Sequence, residues 1–349
     1  VESMEYSFGF DQDLEQEWKW TERYSPQPEI LAYLNHVADR FDLRRDIQLE
    51  TKVLSAHFCE DESDTAFGRW KIKTDDGQEW TAANFVTAVG CLSSTNIPDF
   101  SGLEDFEGEV HHTSRWPQEG VDFSGKHVGV IGTGSSGIQA IPIIAEEADF
   151  LTVFQRTPNF SIPAWNGPLD PARQEEVKAR YQEVRVANRD KFTGFGGSLQ
   201  SVESPDAAEV PEEQRDFRLE EFWKAGGLLY IAAFADLLSD PDANQAASEF
   251  IRGKIREIVK DPKIAELLIP DHGVACKRPC ADTGYFETFN RDDVELVCDV
   301  RRCRPARPIF LHCRLISAPR WFNAGLATRV CFQSKGGCAV RFQGQLELP

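Results

Sequence analysis

Residues 127–139 read His127-Val128-Gly129-Val130-Ile131-Gly132-Thr133-Gly134-Ser135-Ser136-Gly137-Ile138-Gln139, and the reading of this stretch decides the fold. An apolar run typical of a buried parallel strand passes directly into Gly-x-Gly-x-x-Gly and then into a helical stretch over residues 138–148. Gly132 permits the tight turn, Gly134 lets backbone approach a pyrophosphate, and Gly137 lets the helix lie close on the strand. The free N–H groups of the helix N-terminus then face the anion. Residues 132–139 (Gly132, Thr133, Gly134, Ser135, Ser136, Gly137, Ile138 and Gln139) are therefore candidate cofactor contacts. The expected class is α/β, with a Rossmann-like dinucleotide-binding domain.

The following strand, residues 150–154, ends where a carboxylate would hold the ribose 2′-hydroxyl of NAD, roughly 20 residues after the glycines. Gln155-Arg156-Thr157 stands there instead. A guanidinium matches a 2′-phosphate in charge and fork geometry, so the pattern selects NADP(H) through Arg156 and Thr157.

Outward from this turn the chain alternates helices and strands. Pro28 opens a helix whose Ile30, Leu31, Leu34, Val37, Ala38 and Phe41 share one face. Residues 47–53 alternate as a strand, residues 70–73 and 79–82 flank Asp75-Asp76-Gly77 as a hairpin, and residues 84–90 read as a buried strand. From about residue 170 to 269 the pattern is helical, with Val177, Tyr181 and Val184 on one face and Phe250, Ile251, Ile255, Ile258 and Val259 on another. Gly226-Gly227 and Pro262 break it, and the block reads as an insertion.

The 349 residues suffice for two domains, and 38 Lys+Arg against 57 Asp+Glu give a net charge of -19. That field repels phosphate backbones and acidic membranes, so nucleic-acid and membrane partners are not expected. The longest apolar run, residues 228–235, is far below a membrane span, and the acidic start does not resemble a signal peptide, so a cytoplasmic chain is expected. Charge is unevenly distributed. Residues 298–349 carry nine basic and two acidic side chains, a charge of +7, with five of the nine Cys, whereas residues 1–297 carry 29 basic and 55 acidic, a charge of -26. The tail cysteines are spaced x4, x9, x17 and x6 with only His312 among them, so a metal site is not expected there. A poorly ordered or aberrantly translated end is the expectation there.

Residues 106–117, Phe-Glu-Gly-Glu-Val-His-His-Thr-Ser-Arg-Trp-Pro, fit F-x-G-x-x-x-H-x-x-x-W-P through Phe106, Gly108, His112, Trp116 and Pro117. With the glycine turn, the FQRTP string and EWKWTERYSPQPEI near the start, this resembles the Baeyer–Villiger monooxygenases. These flavoenzymes use NADPH and O2 to turn ketones into esters or lactones. The resemblance extends over most of residues 16–297 and implies two dinucleotide folds, for FAD and NADP(H), joined at the long pattern. It implies that His112 and Trp116 belong to the hinge coupling nicotinamide to flavin, and that Lys277 joins Arg156 at the 2′-phosphate. It also implies that Arg278 stands over the flavin, where a permanent cation can stabilise a flavin peroxide anion. Val53 would contact FAD through its backbone. Cys276 and Cys280, which bracket the Lys-Arg pair, are expected to be bystanders, because no CxxxxC of the disulfide-reductase kind follows closely after a dinucleotide turn.

The implied division is a partial FAD-binding domain with linker over residues 1–122, an NADP-binding domain with its helical insertion over residues 123–297, and the atypical tail over residues 298–349. Family members open on an FAD-binding glycine turn, which this sequence does not contain, so an incomplete gene product is expected. The activity implied is oxidation of a small-molecule ketone by O2. The alternatives are an N- or S-oxidising flavin monooxygenase and a non-catalytic NADP-binding fragment, the latter being the expectation for the chain as it stands. The sequence carries no signal for oligomeric state.

Overall fold

The computed structural model describes residues 2–60, 68–90, 94–98, 100, 102–103, 105–190, 196 and 204–298, with the backbone of residues 328–332. Two compact units result, one from the described residues of 2–24 and 95–332, the other from those of 25–94. The chain starts in the larger unit with helix α1 (Gln12–Glu17), crosses to the smaller for α2 (Gln27–Arg40), β1 (Val53–Cys59), β2 (Arg69–Thr74) and β3 (Glu79–Ala82), and then returns.

In the smaller unit β1, β2 and β3 form an antiparallel sheet in that order, with the expected hairpin in register Trp70↔Ala82 and Lys73↔Glu79. Gly77 takes the positive φ of +84° at its turn. Three expectations are corrected here. The strand expected over residues 47–53 begins only at Val53, because Glu50 turns the chain with φ +53°. Residues 84–90 are not in a strand, and Val86 and Val89 are 83% and 63% exposed. A two-faced apolar run becomes a strand only between partners, and none of the described strands pairs with it. On α2 the buried side chains are Tyr33 and Val37, while Leu31 and Leu34 of the expected face are 49% and 45% exposed.

The larger unit holds a five-stranded sheet, all of whose neighbours are parallel. Its order is β4 (Glu109–His112), β10 (Thr328–Phe332), β5 (His127–Ile131), β6 (Phe150–Phe154), β9 (Val294–Val297). A second, two-stranded parallel sheet pairs β7 (Ser161–Pro163) with β8 (Cys280–Asp282). Strand β10 comes from the tail, where the sequence shows no periodic pattern; Thr-Arg-Val-Cys-Phe nevertheless carries β-branched and aromatic residues suited to a ladder. The rest of the expected disordered tail, residues 299–327 and 333–349, lies outside the described residues.

Helix α3 (Ser135–Glu147) buries Ile138, Ile141 and Ile144 in one core with Val128, Val130, Leu151 and Val153 of the strands. The expected helical insertion is present as α4 (Pro171–Ala179), α5 (Tyr181–Asp190), α6 (Glu212–Ala225), α7 (Pro241–Ile258) and α8 (Pro262–Leu268), followed by the short α9 (Tyr285–Thr288). Val177, Tyr181 and Val184 are buried as one face, and Ile251 and Ile255 are fully buried. Pro262 acts as a start rather than a stop, since the Asp261 side chain caps Lys263 N–H at 2.8 Å. Gly226 ends α6 with φ +74°, and a Cβ there would lie 2.7 Å from the Pro163 carbonyl.

Residues 2–24 attach to this unit rather than to residues 25–94. Met4, Leu14 and Trp20 are buried, and Lys178 Nζ donates to the carbonyls of Gln16 and Trp18 at 2.6 Å each. Trp20 N–H donates to Gln174 at 3.0 Å, and Tyr181 O–H donates to the Met4 carbonyl at 3.2 Å. A segment too short for its own core is held by groups of α4 and α5. Among the described residues no helix is long and apolar enough to cross a membrane.

Candidate functional site

Parallel strands deliver their carboxyl ends to one edge of a sheet, which is where open α/β sheets bind ligands. At this edge β5 ends in Gly132, whose φ of +103° only glycine adopts readily, and whose N–H donates to the Phe154 carbonyl at 2.9 Å. Thr133 is buried, and its hydroxyl donates to the Thr157 carbonyl at 3.3 Å. Gly134 is the N-cap of α3 and accepts from Ile138 N–H at 2.8 Å. Gly134 has no side chain to cap that end, and the amides of Ser135 and Ser136 lie in the first turn, where the helix dipole favours an anion. Ser136 and Gln139 are exposed, with Gln139 donating to Ser135 Oγ at 2.9 Å, whereas Ile138 is fully buried and serves the core.

The end of β6 lies beside this turn. Gln155 is buried, its amide donating to the Leu267 carbonyl at 2.7 Å, while Arg156 is exposed and forms no ion pair among the described residues. A carboxylate partner would have neutralised the guanidinium; none stands against it among the described residues, and an unpaired cation fits a 2′-phosphate.

The strand entering β8 reaches the same place. Asn159 Nδ2 donates to the Arg278 carbonyl at 3.1 Å and to Cys280 Sγ at 3.3 Å, while its Oδ1 accepts from Phe160 N–H at 3.0 Å. Cys280 N–H donates to the Phe160 carbonyl at 2.9 Å. Burial pushes the Cys280 thiol up to about 11, against hydrogen bonds from Asn159 and Ser135 that draw it down. Its neighbour Cys276 is exposed, and both are free thiols. Lys277 and Arg278 are exposed. The glycine turn, the Arg156 loop and the backbone of Arg278 thus meet around the N-terminus of α3. Asn159, which sequence reasoning missed, sits at the junction; its only sequence signal is a polar residue between Pro158 and an apolar run.

His112 lies at the carboxyl end of β4, level with Ile131 through the shared partner Phe332 of β10. Its ring is buried, and Nδ1 accepts from Ser114 N–H at 3.1 Å. The accepting Nδ1 places the proton on Nε2 of the neutral ring, and this buried Nε2–H has no hydrogen-bond partner among the described residues. Trp116 is 37% exposed, its ring 5.9 Å from that of His111 and 6.1 Å from that of Phe123. Val53 belongs to the smaller unit, where it opens β1 opposite Thr74.

Below the site, Asp282 is buried on β8. It accepts from Ser161 Oγ and, at 2.7 Å, from Tyr285 N–H. Burial pushes its carboxyl up to about 6.

A family model described as flavin-binding monooxygenase-like matches residues 13–162. A Baeyer–Villiger monooxygenase of Pseudooceanicola batsensis is 44% identical over 85% of this chain and 53% of its own length. An oxidized steroid monooxygenase bound to NADP superposes with a TM-score of 0.82 at 49% identity, over 95% of this chain and 61% of that one.

Residues 13–162 carry a flavin-binding monooxygenase-like domain.

The chain is also similar to the cyclohexanone 1,2-monooxygenase of Acinetobacter sp., at 40% identity over 83% of this chain and 52% of that enzyme. The open crystal structure of a cyclohexanone monooxygenase superposes with a TM-score of 0.83 at 39% identity, over 95% of this chain and 62% of that one. The resemblance to Baeyer–Villiger monooxygenases and the α/β class expected of a Rossmann-like domain both hold. The chain spans about half the length of the curated relatives it matches.

Proposed function

We propose that the larger unit is the NADP(H)-binding part of a flavin-dependent monooxygenase of Baeyer–Villiger type, which oxidises a small-molecule ketone to an ester or lactone with O2. The observation that carries the reading is Arg156, an exposed guanidinium without an ion-pair partner among the described residues, tethered through Thr157 to the glycine turn. The amides at the start of α3 hold the pyrophosphate, and Arg156, Thr157 and Lys277 hold the 2′-phosphate. NADPH so bound supplies a hydride, and the FAD of the whole protein supplies reduction of oxygen.

The chain's own residues orient and stabilise. Arg278 keeps its charge at every working pH and favours negative charge developing near it. His112 offers a desolvated N–H donor at the same sheet edge, and Trp116 packs against His111 beside it. The glycine turn at residues 132–137 accounts for one dinucleotide, and the sequence contains no second turn of that pattern. Flavin binding therefore stays a property of the whole protein, with Val53 as its proposed backbone contact in this chain.

A second reading is N-oxidation, favoured by 41% identity over 85% of the chain to a phenazine N-monooxygenase of Lysobacter antibioticus. Product analysis of the full-length enzyme with a ketone and with a heteroaromatic amine separates the two: ester or lactone supports the first, N-oxide the second. Calorimetric titration with NADP⁺ and NAD⁺ tests the site itself, and equal affinity for both would remove the reading of Arg156.

A further inference from the structure

The loop after β6 touches both ends of the site. At Thr157 its carbonyl accepts from Thr133 of the glycine turn, and at Asn159 its side chain donates to the Arg278 carbonyl and the Cys280 thiol. Phe160 N–H holds Oδ1 of Asn159, which fixes the amide orientation and directs Nδ2 at Arg278. Cys280 is tied independently to the helix N-terminus through the Ser135 hydroxyl and to the loop through its N–H to the Phe160 carbonyl. Arg278 itself has an exposed side chain, and among the described residues no ion pair or side-chain hydrogen bond of its guanidinium anchors it. Its placement rests on these backbone contacts.

We infer that Asn159 is a positioning residue, a relay through which occupation of the 2′-phosphate site at Arg156 sets the backbone of Arg278. This rests on the NADP(H) reading of the site given above. A phosphate drawn to Arg156 orders residues 156–159, and the ordered loop presents the Asn159 amide to the Arg278 carbonyl. The cation at Arg278 is then held in place when NADP(H) is bound and is looser when it is not. NAD(H), which has no 2′-phosphate, fills the glycine turn without engaging the relay.

Hydrogen exchange resolved by peptide, on the chain alone and saturated with NADP⁺ or NAD⁺, tests this without recourse to turnover. In the wild type NADP⁺ slows exchange of both residues 132–139 and residues 276–281, while NAD⁺ slows the first set only. Asn159→Asp keeps the acceptor for Phe160 N–H and removes the donor. Its NADP⁺-dependent protection of residues 276–281 falls about tenfold, the scale of one hydrogen bond, and that of residues 132–139 is kept. Asn159→Gln restores an amide donor and recovers part of the protection. Asn159→Leu, uncharged, repeats the loss and guards against an effect of charge or of misfolding in the first variant. Protection of residues 276–281 that is unchanged in both Asn159→Asp and Asn159→Leu overturns the relay. Wild-type protein in which NADP⁺ protects neither segment overturns the NADP(H) reading beneath it, a distinguishable result.

Discussion

Replacing Arg156 by Ala removes one charge from the carboxyl edge of β6 and leaves the glycine turn untouched. Charge-assisted hydrogen bonds are worth about 1.5–3 kcal/mol. Arg156 is exposed, so solvent screening places its contribution at the lower end, about 1.5–2 kcal/mol. The expected outcome is a loss in NADP⁺ affinity of about 10- to 30-fold with NAD⁺ affinity unchanged within about twofold. Thr157 still accepts from Thr133, so the loop stays tethered in the variant. Calorimetry at two ionic strengths checks the assignment, because the wild-type preference for NADP⁺ shrinks with salt more steeply than that of the variant, which keeps only Lys277 as a cation. Equal losses for the two nucleotides would show that Arg156 supports the fold of the turn and does not read the phosphate.

Three further outcomes follow from the packing. Asp282 has a folded-state value of about 6, raised above the ordinary carboxylate range mainly by burial. The native state therefore binds its proton more tightly than the unfolded chain, so this group's contribution is fully present below about pH 4 and is lost as pH rises through 6. Asp282→Asn, which can still accept from Tyr285 N–H and donate to Ser161, should exceed the wild type in urea-unfolding stability by about 2–3 kcal/mol at pH 7.5 and match it near pH 4. Lys178→Met removes two donations to the carbonyls of Gln16 and Trp18, and burial lowers the amine's value in the native protein. Faster amide exchange over residues 14–20 and a loss of about 2–3 kcal/mol are expected. Gly226→Ala meets both a positive φ and a Cβ contact 2.5 Å from the Trp165 ring, so a cost of about 2–4 kcal/mol is expected by denaturant titration, only partly relieved by Trp165→Ala.

The parts of this structure that were legible in the sequence are those whose signal is local. The glycine turn needs positive φ at Gly132, and the buried periodicities at Ile251 and Ile255 or at Val177 and Val184 declare their own faces. The exposed Arg156 is read from one side chain at one strand end, and its phosphate role remains the proposal made above. What escaped depends on distant partners. Residues 84–90 have strand composition without a paired neighbour among the described strands, and the expected face of α2 turned out half exposed because Tyr33, outside that face, is buried with Val37 while Leu31 and Leu34 are not. Strand β10 takes its place between β4 and β5 from a tail with no periodicity at all. The role of Asn159 was invisible because its three partners, two of them over 100 residues away, are joined only by the fold.

The central claim is that the edge formed by residues 132–139 and 156–157 recognises a 2′-phosphorylated adenosine. Competition between NADP⁺ and two fragments, adenosine 2′,5′-bisphosphate and adenosine 5′-monophosphate, measures it without flavin, oxygen or ketone. The account predicts that the bisphosphate displaces NADP⁺ at least about tenfold more effectively than the monophosphate, and that Arg156→Ala removes most of the difference, leaving the share held by Lys277 and Thr157. Equal displacement by both fragments in the wild-type chain would contradict it.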